Sequence, residues 1–233
     1  MSIKTILFDL DGTLLPMDQD QFVKAYFKRL AIKLAPLGYE PEQLIGAIWK
    51  GTGAMIQNNG SCTNEQAFWH VFASIYGEGC LKDIPVFDDY YHNEFQSVAS
   101  ECGHDPRAAE CIASLKQKGY RLALATNPIF PAIATESRMR WAGLNKENFE
   151  LYTTYENSCY CKPNLDYYRA ILAQLNVQAQ ECLMVGNDVS DDMVARELGM
   201  QVFLLTDCLI NKDNVDINEF PHGSFEELRA FIG

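Results

Sequence analysis

Along this chain the apolar residues follow one rhythm over the first hundred positions and another over the rest. Ile6, Leu7 and Phe8 form a short unbroken apolar run that reads as a buried strand. After Asp11 the period becomes helical for about ninety residues. A stripe of Phe22, Ala25, Tyr26, Leu30, Ile32 and Leu34 predicts a helix over 21–34, which Pro36, Gly38 and Pro41 end. Further helices are expected over 42–56, 64–76 and 88–99. The second stops at Gln57-Asn58-Asn59-Gly60, and the third presents Phe68, Val71, Phe72 and Ile75 behind an N-cap at Thr63 or Asn64. No strand interrupts these helices, so they read as a separate helical lobe.

From Pro106 helix and strand alternate. Helices are expected over 107–118, 131–143, 165–175 and 191–198, and strands over 121–125, 151–154, 182–185 and 201–205. That alternation predicts an α/β, Rossmann-like parallel sheet with helices on both faces, with the strand at Ile6 as a member. The lobe is then an all-helical insertion after the first strand. Residues 1–15 and 101–233 would form the core domain and 16–100 the cap.

In open parallel sheets ligands bind beyond the carboxyl ends of the strands. Asp9 and Asp11 follow the first strand, with Gly12-Thr13 as a turn whose amides could approach an anion. Thr126 and Asn127 follow the second. The loop after the third carries Lys162-Pro163, and the fourth runs into Gly186-Asn187-Asp188, with Asp191 and Asp192 close behind. All four clusters converge on one edge. Two buried carboxylates at a strand end need a cation or hydrogen bonds to compensate them. A carboxylate nucleophile, a divalent cation, a hydroxyl, an amide and a lysine for phosphoryl oxygens, and a second carboxylic acid are what phosphoryl transfer to aspartate requires. Oxygen donors favour magnesium.

The segment Ile6-Leu7-Phe8-Asp9-Leu10-Asp11-Gly12-Thr13 resembles the first signature of the haloacid dehalogenase superfamily, a hydrophobic strand followed by Asp-x-Asp-x-Thr. Thr126, Lys162 and the run Leu183-Met184-Val185-Gly186-Asn187-Asp188-Val189-Ser190-Asp191-Asp192 resemble its remaining motifs in order, and the insertion resembles its helical cap. The resemblance implies a phosphatase with Asp9 as nucleophile, Asp11 as general acid and base, and Lys162 as a catalytic lysine. It implies that Thr126, Asn127 and Lys162 bind phosphate, and that Mg2+ is held by Asp9, the Asp11 carbonyl and Asp188. The superfamily usually has Asp directly after the Gly of the fourth motif, where this chain has Asn187. Asp188 is the favoured ligand because a carboxylate offsets the cation's charge; Asn187 with Asp191 in support is the alternative. Asp192 would hold a water or Lys162.

Composition narrows the function. The 233 residues are 48% apolar, enough for a real core, and carry 19 basic against 31 acidic side chains, a net charge of −12. No basic stripe marks a nucleic-acid or anionic-membrane partner, and no apolar run is long enough to span a bilayer. Eight cysteines without a secretory signal suit reduced thiols in the cytoplasm, with Cys111 and Cys182 as core residues; Cys159 and Cys161 lack the second pair a zinc site needs. His70, His92, His104 and His222 show no metal spacing. Trp49, Phe68, Trp69 and Phe72 are expected in the lobe's core rather than around a substrate. Arg29, Lys50 and Pro128-Ile129-Phe130 are within the range of segments that could touch substrate, but nothing in the pattern selects them.

The leading expectation is a magnesium-dependent phosphomonoester hydrolase acting on a small phosphorylated metabolite. A phosphomutase of the β-phosphoglucomutase kind would keep Asp9, Asp11 and Lys162, and a non-catalytic binding protein on the same fold is the reading from another class. A dehalogenase would lack Asp11, and phosphonate hydrolysis would need a cap lysine that the sequence does not place.

Overall fold

The computed structural model describes residues 2–233. Its sheet has six parallel strands: β1 (Thr5–Phe8), β2 (Arg121–Leu124), β3 (Leu151–Tyr152), β4 (Cys182–Gly186), β5 (Gln201–Leu205) and β6 (His222–Gly223), in the order β3-β2-β1-β4-β5-β6. Strands run outward from β1 on either side, so the order reverses at β1 and β4, and the crevice of such a sheet opens there. Register sets the site's depth. Phe8 lies opposite both Leu124 and Val185, so the residues that follow all three strands emerge at one level.

The strands read as unbroken apolar runs because both sheet faces are covered. Ile6, Phe8, Leu124 and Val185 pack on one side beneath α5 (Pro106–Gln117), α6 (Ala132–Trp141) and α8 (Phe225–Ile232). Leu7, Ala123, Met184 and Leu204 pack on the other beneath α7 (Leu165–Leu175) and a 3-10 helix over Met193–Leu198. Cys111 and Cys182 are buried, one in each layer.

Between β1 and α5 lie α1 (Gln19–Leu34), α2 (Pro41–Ile56), α3 (Asn64–Tyr76) and α4 (Ile84–His92). They close around an aromatic cluster that includes Tyr26, Phe68, Phe72, Phe87, Tyr90 and Phe95. Asp18 caps α1 by accepting from the Gln21 amide at 3.0 Å, and Thr63, not Asn64, caps α3 in a box with Gln66. Among the described residues no helix is long and apolar enough to cross a membrane.

Three segments depart from the periodic pattern. The helix expected over 88–99 begins earlier, because Pro85 sits in the first turn, where its missing N–H costs nothing. It ends at Asn93, whose φ of −115° and ψ of −86° leave the helical region, and a 3-10 helix continues over Glu94–Glu101. The helix expected from Asp191 is only the 3-10 turn from Met193, since Asp188 and Asp192 side chains hold the preceding backbone in a loop. The pair β6 and α8, after Leu205, has no counterpart among the elements the pattern predicts.

Leu7 is fully buried in the central strand, while Ile32 is 66% exposed on α1. Leu7→Ala is therefore expected to lower unfolding stability by about 2–5 kcal/mol, and Ile32→Ala by less than about 0.5 kcal/mol, in urea titrations followed by circular dichroism.

Candidate active site

Asp9 enters the crevice straight from β1, its amide donating to the Val185 carbonyl at 2.9 Å. The chain then turns sharply through Gly12, whose φ of +83° suits glycine; a Cβ there would land on the Asn187 amide. The Thr13 hydroxyl lies 3.2 Å from Asp9 Oδ2 and 2.9 Å from Asn187 Oδ1, sharing one proton between them. Asn187 Nδ2 donates to the Cys208 carbonyl at 2.6 Å, so its amide ties the β1 turn to the loop after β5.

Lys162 arrives from the loop before α7 and is buried. Its Nζ donates to Asp9 Oδ1 at 2.8 Å and to Asp192 Oδ1 at 2.6 Å. Burial pulls the ammonium's pKa down, but Asp192 and Asp9 outweigh it and hold it well above the usual lysine value. The other Asp192 oxygen accepts from the Asp188 amide at 3.0 Å. A Cβ on Gly186 would occupy the place of the Asp192 carboxylate, so the glycine lets that carboxylate reach under the strand end. Asp192 thus holds Lys162, one of the two partners expected for it.

Asp188 Oδ1 accepts from the Ser190 and Asp191 amides at 2.8 and 3.0 Å, and its second oxygen takes no part in that turn. Burial raises the Asp191 pKa; Lys162 opposes the shift, and the charges of Asp188 and Asp9 add to it. Thr126 is buried at the end of β2, and Asn127 Oδ1 accepts from the Lys162 amide at 3.3 Å. Asp9, Asp11, Thr126, Asn127, Lys162 and Asp188 all line one cavity of about 210 Å³, with Asp191, Asp192 and Lys212. Met17, Phe22, Val23, Ile129 and Phe130 supply its apolar wall.

Asp11 meets a partner that the motifs did not announce. Arg138 of α6 is fully buried, donates from Nη1 to Asp11 Oδ2, and sets its guanidinium 4.4 Å from the Phe130 ring centroid. Asp11 Oδ1 is buried with no hydrogen-bond partner among the described residues. Burial pushes the Asp11 pKa up; Arg138 opposes that, and the Asp9 charge adds to it.

The donor chemistry suits a hard cation. Among the described residues no three His, Cys, Asp or Glu side chains form a ready-made cage. Magnesium does not need one, because it keeps several waters and takes one or two carboxylates. The charges of Asp188 and Asp9 press on Asp191 at the cavity's edge, while Lys162, the buried cation beside Asp9, is already shared between Asp9 and Asp192. Two positive charges at this edge would offset that excess.

A sequence model of the haloacid dehalogenase-like hydrolases matches residues 3–199. The chain belongs to this family. It is similar to the pyrophosphatase PpaX of Bacillus velezensis, at 22% identity over 84% of this chain and 80% of that protein. It is also similar to a phosphoglycolate phosphatase of Colwellia psychrerythraea, at 26% identity over 87% of this chain and 84% of its relative. In fold it resembles the HAD hydrolase YfnB of Bacillus subtilis bound to magnesium, with a TM-score of 0.58, 18% identity and full coverage of both chains.

In this haloacid dehalogenase-like hydrolase Arg138 is the residue that motif reading misses. Helix α6 has no clear apolar stripe, so nothing in its period says that an arginine faces inward. Of the segments left open, Ile129 and Phe130 line the cavity, whereas Arg29 and Lys50 do not. Trp49 departs from its expected place in the core: it is 53% exposed.

Because Lys162 and Asp192 are both buried, Asp192→Ala leaves the ammonium with Asp9 alone. Removing one partner of such a pair is expected to cost about 3–5 kcal/mol of unfolding free energy. Urea denaturation of the variant beside the parent protein measures it.

Proposed function

We propose that this protein is a magnesium-dependent phosphatase that hydrolyses a small phosphate monoester through an aspartyl-phosphate on Asp9. The observation that carries the reading is the Asp9 carboxylate held at 2.8 Å from a buried lysine, with Asp11 two residues away and one of its oxygens unpartnered. The names of the relatives, a pyrophosphatase and a phosphoglycolate phosphatase, support phosphoryl chemistry on small substrates.

In this mechanism Asp9 attacks phosphorus in line with the ester oxygen, the P–O ester bond breaks, and Asp11 gives its proton to the departing alkoxide. Burial favours the protonated form of Asp11 that this step requires. Water then attacks the aspartyl-phosphate while Asp11 takes its proton, releasing phosphate and restoring Asp9. Lys162, Thr126 and Asn127 bind the non-bridging oxygens, where charge accumulates. Magnesium, held by Asp9, the Asp11 main-chain carbonyl and Asp188, would reduce the repulsion between carboxylate and phosphate dianion. Asp188 is preferred to Asn187 as ligand because the Asn187 amide is engaged at both ends, by Thr13 and by the Cys208 carbonyl.

Arg138 acts through Asp11. By holding Oδ2 it leaves Oδ1 free to face the leaving group. The helices of residues 16–100 serve as a cap over the core, contributing Met17, Phe22 and Val23 to the cavity wall and limiting water there. Eight free thiols support a cytoplasmic place of work.

Asp9→Asn is expected to abolish hydrolysis of para-nitrophenyl phosphate while the circular dichroism spectrum stays that of the parent, and EDTA is expected to abolish the parent's turnover. Residual hydrolysis in Asp9→Asn at the parent rate would sink the covalent route. Arg138→Met is expected to lower kcat/KM for an alkyl phosphate by about 100-fold, since Asp11 would no longer be held with Oδ1 toward the alkoxide that must take its proton. The same variant is expected to change kcat/KM for para-nitrophenyl phosphate only a few-fold, its leaving group being a weak base. An equal loss on both esters would mean that Arg138 serves only the fold.

A further inference from the structure

A second cavity, of about 90 Å³, lies beside the first, between the lobe's helices and Ile129, Phe130, Pro131 and Tyr155. The two share Val23, Ile129 and Phe130 as a common wall, so a group attached to a phosphate at Asp9 would extend toward this chamber. Its lining is dominated by aromatic rings, among them Tyr26, Phe27, Trp49, Trp69 and Tyr91. Trp69 is buried in this wall, edge-on to the Phe68, Phe72 and Phe87 rings.

Asp88 is the one charged residue in this lining. Among the described residues no lysine or arginine forms an ion pair with it or with Glu65. Asp88 stands exposed at the chamber's rim, where the partial desolvation it meets raises its pKa and His92, one turn along α4, opposes. Burial also raises Glu65, and the charges of Glu156 and Asp88 add to that shift. One carboxylate therefore stands at the edge of an aromatic box, with no lysine or arginine paired to it among the described residues. The π faces of the rings are themselves electron-rich. A carboxylate-bearing leaving group would meet repulsion from Asp88 and no donor cation in this chamber, whereas an ammonium would be attracted by both the rings and the carboxylate.

We propose that the chamber binds an alkylated ammonium group, so that the substrate is the phosphate monoester of an N-methylated amino alcohol. The proposal rests on the phosphatase reading for its chemistry: the ester bond cleaved is the one between phosphorus and the amino alcohol's oxygen. It departs from the substrates in the relatives' names, which are small and anionic throughout.

The test compares phosphocholine with its uncharged isostere 3,3-dimethylbutyl phosphate and with phosphoglycolate, each with magnesium. Phosphocholine is expected to exceed the isostere in kcat/KM by about tenfold, the scale of a desolvated cation–π contact, and phosphoglycolate to be slowest. Asp88→Asn, a change at an exposed rim position, is expected to lower kcat/KM for phosphocholine toward that of the isostere. Equal rates for the first two esters, or fastest cleavage of phosphoglycolate, would overturn the proposal. A second arm needs no catalysis: choline is titrated into magnesium-free protein while the fluorescence of Trp49 and Trp69 is followed. This arm decides the matter if no ester is cleaved. Quenching that is lost in Asp88→Asn would then uphold the ammonium site while the phosphatase reading falls, and absent quenching would overturn both.

Discussion

A buried ammonium between two carboxylates holds this candidate site together. Lys162 cannot stay charged in the interior without Asp9 and Asp192, and each carboxylate would in turn be costly without the lysine. Asp9 and Lys162 are 153 positions apart in the chain and Lys162 and Asp192 a further 30, and each segment is bent to bring its charge in. Gly186 gives up its side chain so that Asp192 fits. The loop from Asp188 to Asp192 turns back on itself through the Asp188 carboxylate and the Asp192 oxygen facing the Asp188 amide. The sheet's register then fixes where this triad stands, because β1 and β4 end level with each other.

A second arginine-centred contact joins the site to the helical lobe. Arg138 belongs to α6 beneath the sheet's edge, yet its guanidinium spans Asp11 on one side and the Phe130 ring on the other. Phe130 in turn packs edge-on against Phe22 and Tyr26 of α1, at centroid distances of 6.2 and 5.6 Å. The orientation of the Asp11 carboxylate is therefore mechanically continuous with lobe packing. The same ring walls both cavities, so one side chain touches Arg138, the cavity at Asp9 and the aromatic chamber.

The charge distribution resolves an apparent conflict between a chain of net charge −12 and an anionic substrate. Overall charge acts at a distance and is screened within about 10 Å at ordinary ionic strength. Local geometry acts at contact. Inside the cavity Lys162 is buried and shared, Lys212 lies at the wall, and its charge offsets that of Asp191. The remaining carboxylates of the cavity have the oxygen-donor chemistry of a divalent-cation site.

Short-range rules made much of this molecule legible from its residues alone. Continuous apolar strands, helical stripes and cap residues depend on neighbours within a few positions, which is why β1, β5, α3 and α7 fall where periodicity puts them. The strand-end rule brought Asp9, Asp11, Thr126, Asn127, Lys162 and Asp188 to one cavity, since a parallel sheet orders all its carboxyl ends alike. Tertiary structure decided what no local period encodes. It turned Arg138 inward on a helix without an apolar stripe, gave Asp192 to Lys162, left Trp49 half exposed, and set an aromatic chamber beside the phosphate cavity. Those outcomes depend on which side chains meet across distant segments, and the energy that selects them, the pairing of buried charge and the packing of rings, exists only once the chain has folded.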